Sequence, residues 1–125
     1  MCNRSFCRLF LSVHINSVEG PEKASGYEYW INSGLKRFHY LYDVYHQEFV
    51  KFIKQVGLRD RGVRKSDKLV VLREFGSLAM LTENLFIDHP KDSELLQDDT
   101  FIEGLATSHA LAIKKIFEAR SNIEE

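Results

Sequence analysis

Cysteine is almost absent from this sequence. Cys2 and Cys7 are the only two in 125 residues, and a separation of five positions is neither a disulfide framework nor a zinc spacing, so reduced thiols are expected. Proline is as scarce, with two, and seven glycines are few for a loop-rich or all-β chain. Long apolar runs are missing as well. The longest near the N-terminus, Leu9-Phe10-Leu11, is cut off by Ser12 and His14, too short for a signal-peptide core or a membrane span. These absences point to a cytoplasmic protein without a membrane segment. A phosphate-binding glycine loop, a GxSxG elbow, an HExxH pair and an EF-hand ligand run are also missing, so no cofactor is expected.

What is present reads as globular. With 44% hydrophobic and 28% charged residues, a chain of this length buries roughly two-thirds of its unfolded surface around one core. A single domain spanning 1–125 is therefore expected. The net charge of −1 conceals an asymmetry: residues 1–75 hold 13 Lys/Arg against 8 Asp/Glu, whereas residues 76–125 hold 4 against 10. Oppositely charged regions can satisfy one another without a foreign partner.

Periodicity predicts an all-α fold, a three- or four-helix bundle. Ser25 and Glu28 have capping-box spacing, and Ile31, Leu35, Phe38, Tyr42, Tyr45, Phe49, Phe52 and Val56 recur at alternating steps of four and three. That stripe predicts one long aromatic-rich helix over 27–56, stopped by Gly57. Ser66 and Asp67 then cap a second helix over 67–88, ended by His89-Pro90. Thr100 and Glu103 cap a third over 101–120, whose small residues Gly104, Ala106, Ala110 and Ala112 suit packing against the large rings of the first. Residues 1–20 are ambiguous. Phe6, Leu9, Phe10 and Val13 fit a helix face, while Cys7, Leu9, Leu11, Val13 and Ile15 alternate as a strand would. Helix is favoured, because a lone strand in a helical chain leaves its backbone groups unpaired.

Four constellations could carry function. His39, Asp43 and His46 share one helix face and could converge on a metal, with His109 or Glu83 completing the set. Arg59, Arg61, Arg64 and Lys65, followed by Lys68 and Arg73, could grip phosphates from a connecting loop. His109, on an apolar helix face, could act as an acid or base, although a satisfied core histidine explains it equally. Tyr29 and Tyr40, with Trp30, fall off the main stripe and suit a protein interface. Arg8 and His14 match a spacing met in some helical ribonuclease domains, but so short a pattern carries no weight.

The reading that follows is a small helical binding or adaptor protein rather than an enzyme. It self-associates as a homodimer through the long helix and is open to a protein partner. A nucleic-acid-binding regulator using the basic loop 59–68 is the first alternative, and a metal- or small-molecule-binding bundle the second.

Overall fold

The computed structural model describes residues 8–18, 24–33, 39–66 and 78–124, with side chains to residue 120. It is mixed α/β. The elements in chain order are β1 (Leu9–Asn16), β2 (Tyr27–Asn32), α1 (His39–Gln55), β3 (Asp60–Ser66), β4 (Leu78–Phe86), α2 (Pro90–Leu96) and α3 (Asp99–Glu124). The strands form one sheet in the order β1-β4-β2-β3. Strands β1 and β4 run parallel, β2 runs antiparallel to β4, and β3 runs parallel to β2.

The all-α bundle expected from periodicity is thus overturned. Strand β4 shows why. Its nine residues, Leu-Ala-Met-Leu-Thr-Glu-Asn-Leu-Phe, are all buried except Glu83, which is half-buried. A continuous buried run carries no clean alternation, so it satisfies a helical template as readily as a strand one. The predicted helix over 67–88 therefore contains a strand over 78–86, and residues 67–77 lie outside the described part. In β2 the alternation was present, since Tyr27, Tyr29 and Ile31 are at most 2% exposed, but the helical stripe that follows absorbed it. Strand β1 took the reading that was disfavoured for want of a partner, and that partner is β4.

Two helices remain where periodicity put them, with shifted limits. Helix α1 begins at His39 rather than residue 27, and α3 runs for 26 residues, about 39 Å. Both pack on one face of the sheet. Tyr27, Tyr29, Ile31, Leu78 and Met80 from the strands meet Leu41, Tyr42, Tyr45, Phe49 and Ile53 of α1 and Phe101, Leu105, Ala112 and Ile116 of α3 in one core. The Phe49 and Tyr27 rings lie 4.5 Å apart between centroids. Large does meet small at one crossing: a Cβ on Gly104 of α3 would stand 2.7 Å from Cε2 of Phe52, so any larger residue there requires the Phe52 ring to move.

The side chain of Asp92 fastens the sheet to α2. It is fully buried, and its carboxylate accepts from Ser25 Oγ at 2.6 Å and from the backbone N–H groups of Gly26 and Phe86 at 3.0 and 2.9 Å. Ser25, read as a helix cap, serves instead as a donor to this carboxylate. Gly26 beside it has φ of +107°, and a Cβ there would come within 2.2 Å of the Arg59 carbonyl oxygen, so no other residue fits.

Candidate active site

Directly opposed residues on neighbouring strands share a face of the sheet and stand about 4.5–5.5 Å apart. Glu83 of β4 is opposite His14 of β1 on one side and Glu28 of β2 on the other. The three make a row across three strands on the face turned away from α1 and α3. The row lies near the carboxyl ends of the two parallel strands, where open α/β sheets carry their ligands.

Each member has a distinct environment. His14 is exposed, with Nε2 2.7 Å from Ser12 Oγ. Glu28 is 4% exposed and is held by Arg61 Nε at 3.1 Å, Arg64 Nε at 3.6 Å and Asn16 Nδ2 at 3.4 Å. Glu83 is different, because its Oε2 is buried without a hydrogen-bond partner among the described residues. Burial raises its proton affinity, His14 opposes that rise and the Glu28 carboxylate adds to it. A carboxyl group held this way is equipped to take a proton from water and return it to a leaving group.

Immediately after Glu83 the strand departs from regular geometry. The β1–β4 register passes from His14↔Glu83 to Asn16↔Phe86, two steps on one strand against three on the other, and Leu85 sits in the left-handed region at φ 71°. This is a β-bulge, a device that re-aims side chains beside active sites.

Glu83 and His14, each named from sequence for another reason, meet in this row, and the other residues singled out from sequence fall elsewhere. His39 faces the Asn32 carbonyl at 3.2 Å, Asp43 is exposed, and His46 Nε2 lies 2.7 Å from Asp60 Oδ2 while its ring stacks on Tyr29. The three are not brought together, and among the described residues no three His, Cys, Asp or Glu side chains form a metal-holding group. Of the proposed interface, Tyr29 is 2% exposed in the core and Trp30 is half-buried in the same strand. Tyr40 alone is largely exposed, at 40%. The basic segment runs through strand β3: Arg61 and Arg64 pair with Glu28, Lys65 lies in the strand and Arg59 precedes it, and Lys68 and Arg73 lie outside the described residues. His109 is a buried histidine with both ring nitrogens hydrogen-bonded.

Sequence reasoning missed the pairing of His14 with Glu83 and the anchoring role of Asp92. A signal existed for the first: Thr82-Glu83-Asn84 places three polar residues inside an otherwise apolar run, which a helix over 67–88 turned into an unremarkable polar face.

Residues 1–115 match the Amidase_3 family of N-acetylmuramoyl-L-alanine amidases. The chain belongs to this family. It is 37% identical to the endolysin of Bacillus phage SPP1 over 118 residues, 94% of this chain and 43% of that protein. It is also 37% identical to an N-acetylmuramoyl-L-alanine amidase of Bacillus licheniformis over 114 residues, 90% of this chain and 42% of that protein. The chain thus spans less than half the length of these relatives. The fold matches an N-acetylmuramoyl-L-alanine amidase of Nostoc punctiforme with a TM-score of 0.82 at 23% identity, covering 94% of this chain and 62% of that one. It matches the catalytic domain of the amidase from Paenibacillus polymyxa var. colistinus with a TM-score of 0.80 at 25% identity, covering the same shares. Family and fold together overturn the expectation of a non-enzymatic helical adaptor of unknown function, and with it the nucleic-acid alternative.

A metal suits this chemistry, and the row can be tested against one. Zinc in hydrolytic sites takes three protein ligands from imidazole and carboxylate groups and keeps a position for water. Here one exposed imidazole stands beside a carboxylate with an orphaned oxygen. That donor set fits a share of such a site, not the whole of one.

Proposed function

We propose that this chain contributes His14 and Glu83 to the active site of an amidase that cleaves cell-wall peptidoglycan at the amide joining N-acetylmuramic acid to L-alanine. The observation that carries the reading is the buried, unpartnered Oε2 of Glu83 beside His14, in a chain of this family. In this mechanism Glu83 takes a proton from the attacking water as the tetrahedral centre forms, then delivers one to the departing amine of L-alanine. His14 would hold a divalent cation such as zinc, which supplies carbonyl polarisation and a more acidic water when bound. Glu28, with Arg61 and Arg64, fixes a negative charge next to Glu83 and keeps its proton affinity high.

The Ser12–His14 contact admits a second arrangement, with Ser12 as nucleophile and His14 as its base. Substitution separates the two. The test measures free L-alanine amino groups released from purified peptidoglycan. Glu83→Gln lowers release by about 10²–10⁴-fold under the proposed arrangement, and Ser12→Ala retains it. Full activity in Glu83→Gln would refute the role of Glu83, and loss in Ser12→Ala would favour the serine route.

A further inference from the structure

Behind the row, on the opposite face of the sheet, a buried polar chain links α1, α3 and β4 to the backbone of β1. Asn84 is 1% exposed and His109 7% exposed. Asn84 Nδ2 donates to the His14 carbonyl at 3.0 Å and to Thr82 Oγ1 at 3.0 Å. Its Oδ1 is therefore the acceptor facing His109 Nε2 at 2.7 Å. That assigns the proton to Nε2 and leaves Nδ1 to accept from the Tyr45 hydroxyl. Every polar atom of the imidazole is used, in a neutral ring, and each bond dictates the orientation of the next.

This chain ends where the β1–β4 ladder slips. The bulge at Leu85 interrupts regular pairing directly after Glu83, and a side-chain amide meets the His14 carbonyl at that point. Without it the carbonyl would lose this side-chain bond, and the end of β1 would be held less firmly beside the bulge. A shift of about 1 Å at such a place is enough to uncouple reacting groups.

We propose that His109, acting through Asn84, is a positioning residue that locks the His14 backbone against β4 and so holds His14 and Glu83 in register. The inference rests on the proposed amidase function only for its effect on turnover, because the lock itself is a property of the sheet. Glutamine carries a donor amide and an acceptor carbonyl and can replace both bonds of neutral histidine, whereas leucine supplies neither.

The test compares His109→Gln and His109→Leu with the parent chain by amide hydrogen exchange and by peptidoglycan cleavage. In His109→Leu, exchange at residues 14–16 and 84–87 is expected to accelerate at least tenfold more than at residues 9–12 and 78–81. The kcat should fall about tenfold with KM little changed, and His109→Gln should restore both to within about threefold. If His109→Leu does not fold, Tyr45→Phe, which removes only the hydroxyl, should show the same localised exchange at smaller size. Uniform acceleration along both strands, or none, overturns the proposal in either variant. A parent chain that cleaves nothing counts against the amidase reading, while the exchange pattern still decides the lock.

Discussion

Asp92 and Glu83 are both carboxylates taken out of water near one end of the sheet, and they are treated in opposite ways. Asp92 accepts from a hydroxyl and two backbone amides, so its burial is compensated and it serves as a fastener. Glu83 retains an oxygen with no donor among the described residues. A protein that can satisfy one buried carboxylate so fully and leaves another unsatisfied marks the second as a place for chemistry.

That contrast can be broken by substitution. The largest effect is expected in Glu83→Gln, which should lower amide cleavage by about 10²–10⁴-fold while leaving the melting temperature unchanged or raised, since a strained charge is removed. A large fall in melting temperature with activity preserved would invert the assignment. Asp92→Ala should do the reverse, costing about 3–5 kcal/mol in urea unfolding through three stranded donors while sparing the intrinsic turnover of molecules that remain folded.

Protons sharpen the same comparison. Burial lowers the pKa of His109 from 6.5 to about 4, so the unfolded chain binds its proton first. The stability from keeping the ring neutral is fully present above pH 6.5 and lost as pH falls towards 4, on the order of 3 kcal/mol in total. Glu83 works with the opposite sign. Its raised pKa means that the folded state binds the proton more tightly, so its burial weakens the fold as pH rises through that pKa. Urea titrations of His109→Gln should lack the first slope, and those of Glu83→Gln the second. Gly104→Ala is smaller again, about 1–3 kcal/mol from pressing a methyl group on Phe52. Lys114→Ala should cost below about 0.5 kcal/mol, because its pair with Glu118 is exposed on both sides.

The helices over 39–55 and 99–124 were legible in part, because Tyr42, Tyr45 and Phe49, like Leu105, His109 and Ile116, recur at helical spacing and are buried, whereas Val56 and Ile102 of the same stripes are exposed and Ile53 and Phe101 take core places. Strands were not. The buried run of β4 has no period, β3 is a charged strand that resembles a loop, and β1 fits helix and strand templates alike until its partner is known. The site was hidden for the same reason. His14 and Glu83 are 69 positions apart in the sequence, and only the parallel register places them side by side. No local spacing contains that information. Where chemistry depends on one element, as in the helical face of His39, Asp43 and His46, a pattern is visible from sequence, and here it led to residues that the fold uses separately.

The strand order has a consequence in time. Both β1 and β2 pair with β4, which is synthesised after them, and the carboxylate that fastens the entry to β2 comes later still. At roughly 5–20 residues per second, a ribosome takes several seconds to pass from Asn16 to Phe86. Through that interval β1 has no β4 to bond, and Leu9, Leu11, Val13 and Ile15 wait as an unpaired apolar edge. The nascent chain therefore keeps this apolar edge open until Phe86 is made, and conditions that slow translation through β3 and β4 should lower the yield of folded protein more than pauses placed after α2.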